Sequence, residues 1–165
     1  MRPDELDRAV LELARTRLHS PAIERAVAAY SRLGEHGACW LALGAAGAAL
    51  EHDHDRRREW VHGIGVVASA YALNYAVKLT VRRRRPEFPE LPQLTPLVSR
   101  LSFPSAHATT SFAAARAFGG LVPPVALYAA AFAFLLSRPY LGVHYPSDVL
   151  AGAALGTIIA AVTGR

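Results

Sequence analysis

His144 is preceded by Ser137-Arg138 and followed four residues later by Asp148. A neutral imidazole held in one tautomer is a competent nucleophile toward phosphorus. A carboxylate on its other ring nitrogen fixes that tautomer and stabilises the cation that forms. If a helix begins near Pro146, Asp148 lies about one turn beyond His144 and can reach back to it. Arg138 adds a donor for an anion. The competing reading is a buried His–Asp pair of purely structural use.

A second histidine sits in Phe103-Pro104-Ser105-Ala106-His107. Proline opens a helix well, and the first backbone N–H groups of a helix lack intrahelical partners. Such a start is an anion site, with the Ser105 hydroxyl as a further donor. His107 then falls in the first turn, placed to give a proton to whatever binds there. The bland alternative is an N-cap serine beside a surface histidine. A third group is Lys78 followed seven residues on by Arg85-Pro86. A lysine near the end of an apolar helix must face water or an anion, and a guanidinium fork suits phosphate oxygens. For Arg82, Arg83 and Arg84 beside it, anchoring at a membrane surface is the simpler reading.

The elements that carry these residues read as helices. Residues 3–19 place Leu6, Val10, Leu13 and Leu18 near helical spacing, which predicts an amphipathic helix over about 1–20, lying on a membrane surface or docked on a bundle. Apolar stretches then predict five short transmembrane helices, at about 22–50, 58–82, 105–120, 123–138 and 147–163. Single runs fall short of the ~20 residues a span needs, and polar residues at their ends lengthen them by snorkelling. Gly44, Ala45, Gly47 and Ala48, with Gly152, Ala153 and Gly156, would let helix backbones approach closely. Pro86, Pro89, Pro92 and Pro96 stiffen the loop between the second and third spans. With five spans, that loop and the fourth–fifth connection emerge on one side, so all three groups can share one site. The expected architecture is an all-α integral-membrane bundle forming a single domain over 1–165, with its chemistry between residues 78 and 148.

Composition agrees. The chain has 165 residues, 52% hydrophobic and 19% charged, with a formal net charge of +5. A basic balance fits phosphates, acidic lipid surfaces or nucleic acid. The Arg82–Arg85 run has no interleaved aromatics, which counts against single-stranded nucleic acid. The one cysteine, Cys39, permits no intrachain disulfide and reads as a small buried side chain. Asp4, Glu5, Asp7 and Glu12 interrupt the N-terminus before any apolar core, so no signal peptide is expected and a secreted soluble enzyme is disfavoured.

With the spacings Lys78-x6-Arg85-Pro86, Pro104-Ser105-Ala106-His107 and Ser137-Arg138-x5-His144-x3-Asp148, the chain resembles the type 2 phosphatidic acid phosphatase (PAP2) family, related in its core to vanadium haloperoxidases. The departure is Ala106, where glycine is usual; alanine keeps the backbone N–H. The resemblance implies a lipid phosphate phosphatase that needs no metal or other cofactor. His144 would attack phosphorus, Asp148 would orient it, and His107 would protonate the leaving alcohol. Lys78, Arg85, Ser105, Arg138 and the Ala106 N–H would hold the phosphate. The expected partners are a lipid phosphate substrate and membrane lipids, in a multi-pass protein of the cell membrane. The short, alanine- and arginine-rich chain and its Leu-Ser-Phe-Pro-Ser-Ala-His-Ala-Thr segment look most similar to actinobacterial members. This makes decaprenylphosphoryl-5-phosphoribose the first expected substrate, ahead of polyprenyl diphosphate, phosphatidylglycerophosphate and phosphatidic acid.

The rival readings are a non-catalytic protein that binds lipid phosphates and a soluble acid phosphatase. Retention of both histidines and Asp148 favours catalysis over binding alone. His52-Asp53-His54-Asp55 has metal-ligand residue types, though alternating charges in a short loop usually face water. Glu35 and His36 are costly inside a first span and have no assigned role. Family members usually face the site outward. Arg82, Arg83, Arg84, Arg100 and the N-terminal arginines, against Arg56, Arg57 and Arg58, instead place it in the cytoplasm. Sequence leaves sidedness and oligomeric state open.

Overall fold

The computed structural model describes residues 3–17 and 19–164. Among these residues seven α-helices run α1 Pro3–Thr16, α2 Pro21–Leu33, α3 Ala38–Leu50, α4 His54–Val81, α5 Ala106–Ala117, α6 Pro124–Tyr140 and α7 Pro146–Thr163. The four later predicted segments form helices, α4 to α7. The first does not form one helix over 22–50. It breaks at a 3-10 turn, Glu35–Gly37, where His36 and Gly37 take left-handed backbone (φ 54° and 72°). Glycine adopts that region freely, and side chains other than Asn, Asp and His rarely do. The helical pattern does not register such a break, because helix-forming residues continue on both sides of it; α2 is amphipathic, with Glu24, Arg25 and Arg32, and α3 is apolar.

α5 is the short central helix, with residues 107–115 all buried. Its 12 residues give a length of about 18 Å. α4, α6 and α7 surround it. α7 approaches closely because it carries the glycines expected to permit this: a Cβ added at Gly152 would lie 2.6 Å from the Ser105 carbonyl oxygen, and one at Gly156 would overlap that of Thr109. Gly47 of α3 likewise seats the Trp60 ring of α4, which lies where a Cβ would stand. α4 and α7 are long and apolar enough to cross a membrane. Their outer faces leave Leu73, Leu79, Val81, Leu150, Ile158 and Val162 exposed, the surface that a lipid-facing helix presents.

α1 docks through Asp7, Leu11 and Arg15, all buried, and turns Leu6, Val10 and Leu13 outward. A helix lying in a membrane interface has this arrangement. Leu18 lies outside the described residues. Asp53 caps α4 by accepting from the backbone N–H groups of Asp55 and Arg56 (3.0 and 2.9 Å), and Asp55 faces Arg58 at 3.6 Å. Among the described residues no group of three or more His, Cys, Asp and Glu side chains is arranged to hold a metal ion.

Candidate active site

The loop that leaves α4 carries the first group of residues to the others. α4 ends at Arg82, whose left-handed φ of 53° turns the chain and returns its N–H to the Lys78 carbonyl at 3.0 Å. Residues 83–85 then run antiparallel to 100–102: Ser102 N–H donates to Arg83 O (2.8 Å) and Arg85 N–H to Arg100 O (3.2 Å). Lys78 fastens the far side of this loop. Its ammonium donates to the carbonyls of Leu101, Ser102 and Pro104 at 3.2, 3.1 and 3.0 Å. Those three bonds use all three donors of a lysine, so its hydrogen bonds hold the loop while its charge remains beside the pocket. The buried Asn74 adds bonds to Pro104 O (3.2 Å) and Thr109 Oγ1 (2.8 Å).

The second and third groups are tied directly. Ser105 caps α5, and its N–H donates to the Asp148 carbonyl at 2.9 Å in the first turn of α7. The Ser105 hydroxyl is fully buried without a protein partner, as an oxygen aimed at an anion site at a helix start would be. Pro146 opens α7 and Asp148 stands at its third position.

One pocket is lined by Lys78, Arg85, Ala106, His107, Arg138 and His144, with Glu35, His36, Tyr71 and Asn74 among the others. Both imidazoles therefore face one cavity, among three cations and next to the N-terminus of α5. Ser105 and Asp148 sit in its wall rather than on its lining.

The hydrogen bonds assign each ring a tautomer. Arg85 Nη1 donates to His144 Nε2 at 3.0 Å. A guanidinium can only donate, so Nε2 carries the lone pair and Nδ1 the proton. Nδ1 lies 3.5 Å from Asp148 Oδ2 and has no hydrogen bond; at that distance the contact is electrostatic. Asp148 is held by two other donors, Tyr145 N–H on Oδ2 and Arg83 Nη1 on Oδ1, each at 2.9 Å. Across the pocket His107 Nε2–H donates to the Ser31 carbonyl at 2.9 Å, leaving Nδ1 as the acceptor. Ser31 also accepts Arg138 Nη1 on its hydroxyl. One residue of α2 thus braces two residues of the pocket.

Burial, reinforced by the charges of Arg85, Arg138 and Lys78, holds His144 neutral, with a pKa well below the ordinary 6.5. Burial also lowers Arg85 to about 10, which leaves it a cation at neutral pH. In 15N-histidine-labelled protein, His144 is expected to keep the neutral Nδ1–H form as pH falls through the ordinary imidazole value of 6.5. A His144 resonance titrating at its ordinary pKa would contradict both the burial of the ring and its tautomer.

Arg83, read from sequence as a surface anchor, is instead the second support of Asp148. Its Nη2 pairs with Asp7 Oδ2 at 2.8 Å, and its guanidinium lies over the Tyr145 ring, 4.2 Å from the centroid. Asp7 in turn accepts from the N–H of Ser147 (2.9 Å) and from its hydroxyl. Although burial works against ionisation, these bonds from Ser147 and Arg83 lower the Asp7 pKa. Arg83, Asp7 and Ser31 had no sequence signal, because each has its partners 64 to 140 residues away.

A helical bundle with lipid-facing outer helices and a cationic pocket lined by His107 and His144 has the architecture of a membrane-embedded phosphatase. The chain belongs to the PAP2 superfamily, whose family model matches residues 60–165, and it is a phosphoric monoester hydrolase of that superfamily. It is 47% identical over 137 residues to decaprenylphosphoryl-5-phosphoribose phosphatase of Mycobacterium tuberculosis, covering 80% of this chain and 73% of that one. The protein of the same name from Mycolicibacterium smegmatis is 42% identical over 142 residues, covering 80% and 72%. Among solved structures, Aquifex aeolicus LpxE superposes with a TM-score of 0.82 at 24% identity, covering 96% of this chain and 94% of that one. A transmembrane PAP2-type phosphatidylglycerolphosphate phosphatase from Bacillus subtilis gives 0.79 at 24% identity, covering 97% and 83%. At that identity the two structures speak to the fold.

Proposed function

We propose that this protein is a multi-pass phosphatase of the cell membrane that removes the 5-phosphate of decaprenylphosphoryl-5-phosphoribose through a phosphohistidine on His144. The reaction type rests on one observation: His107 and His144 line a single pocket whose anion-binding groups are Arg85, Arg138 and the start of α5, with the Lys78 charge beside them. The substrate rests on the 47% identity to the mycobacterial relative.

An entering phosphate competes for the Arg85 donor that occupies His144 Nε2, and its capture by a phosphate oxygen frees the lone pair. Nε2 then attacks phosphorus; the N–P bond forms as the bond to the ribose oxygen breaks. The imidazolium created on His144 draws Nδ1–H toward Asp148, closing the 3.5 Å gap. The bound dianion favours a proton on His107 Nδ1, which passes to the departing oxygen. In the second half, His107 takes a proton from water, water oxygen attacks phosphorus, the N–P bond breaks and phosphate leaves. Positioning and fixed positive charge are what phosphoryl transfer chiefly requires, and here side chains and backbone N–H groups supply both.

The test is hydrolysis in detergent, with chelator present, of a prenylphosphoryl-5-phosphoribose against a prenyl diphosphate, a phosphatidylglycerophosphate and a phosphatidic acid. The expected result is the highest kcat/KM for the phosphoribose compound. Preference for a glycerolipid would overturn the substrate, and a requirement for added magnesium would overturn the mechanism.

A further inference from the structure

Glu35 and His36 have no part in the phosphate chemistry, yet they line the same pocket together with Tyr71. The break between α2 and α3 presents them there. His36 holds left-handed backbone, φ 54°, which a non-glycine residue adopts at a cost. In that conformation its Nδ1 meets the Tyr71 hydroxyl at 2.6 Å, and the two rings stand edge to face with centroids 5.6 Å apart.

The turn sits on the leaving-group side. A Cβ added at Gly34 would lie 2.8 Å from His107 Cδ2, so the segment that carries Glu35 runs directly against the ring assigned to protonate the departing oxygen. Glu35 also shares the pocket lining with Arg138. A carboxylate beside phosphate-binding cations would repel the phosphate itself. A carboxylate, an imidazole and a phenol together instead supply the acceptors and donors that vicinal hydroxyls need.

We propose that Glu35, His36 and Tyr71 form a subsite that reads the hydroxyls of the sugar bearing the phosphate; this rests on phosphoribose being the group hydrolysed. Glu35 accepts from the hydroxyls, and the His36–Tyr71 pair fixes the phenol as donor or acceptor beside them. A site built to hydrogen-bond hydroxyls rejects the analogue that lacks them, because its own polar groups are then left unpaired.

The test compares kcat/KM for a short-chain prenylphosphoryl-5-phosphoribose with that for the same compound whose ribose hydroxyls are replaced by hydrogen. Wild type is expected to favour the hydroxylated compound by about 100-fold, and Glu35→Gln or Tyr71→Phe to lower that ratio by about tenfold. His36→Asn, which tolerates the left-handed backbone, is expected to lower it as well. Equal losses on both compounds, or an unchanged ratio, would show that the three residues only support the fold and would overturn the subsite. Hydrolysis by wild type without discrimination would overturn the subsite alone. No hydrolysis of the phosphoribose compound would overturn the substrate reading and the subsite with it.

Discussion

His144→Ala is expected to lower kcat by at least ~10⁴-fold, the scale seen when a covalent nucleophile is removed, while the protein stays folded. His144 is one of the largest fully buried side chains, so its loss leaves a cavity. The surrounding anchors do not depend on it: Arg85 keeps its bonds to the Ser99 and Val143 carbonyls, both 2.7 Å. Asp148 keeps Arg83 and Tyr145 N–H. His144→Gln fills more of the volume and should be equally inactive, which separates lost chemistry from lost packing. The check is single-turnover hydrolysis beside thermal unfolding in detergent. Substantial residual turnover in a folded variant would remove His144 from the mechanism and return the protein to lipid-phosphate binding alone.

Asp148→Asn should cost about 10³- to 10⁴-fold in kcat, because it changes which nitrogen of His144 carries the proton. The carboxylate accepts from Tyr145 N–H and Arg83 while facing His144 Nδ1. An amide has one acceptor oxygen; keeping it on Arg83 places the NH2 where Oδ2 stood, giving up the Tyr145 N–H bond. That NH2 faces His144 Nδ1 and favours the tautomer with the proton on Nε2, the attacking atom. The readout is kcat together with the histidine 15N shifts, which report the tautomer exchange directly. Arg83 retains Asp7 as its partner, so the loss of stability should be modest beside the loss of rate. A fall in stability with the tautomer unchanged would mean that Asp148 serves only to lock α7 against the loop after α4.

Much of this site was legible because its residues are spaced along the chain in a way that survives without coordinates. His144 and Asp148 are one helical turn apart, and Pro104 and Pro146 mark the helix starts that place Ser105 and Asp148. What was not legible depends on tertiary partners. Arg83 sits in a run of four arginines and differs from Arg82 only in meeting Asp7 and Asp148. Lys78 looks like a phosphate ligand by position, and the fold engages all its donors with loop carbonyls. The break at Glu35–Gly37 was hidden because helix-forming residues flank it on both sides, amphipathic in α2 and apolar in α3. Glu35 and His36, which made that span look costly, are the residues the break carries to the pocket mouth.

The central claim is a covalent bond between phosphorus and one particular nitrogen. Rapid acid-free quenching during turnover of substrate labelled in the scissile phosphate should trap label on the protein. That label should be stable to alkali and labile to acid, on the peptide containing His144, and absent from His144→Ala. Label on His107 or on a serine, or release of phosphate at full rate with no labelled enzyme at any time point, would contradict it.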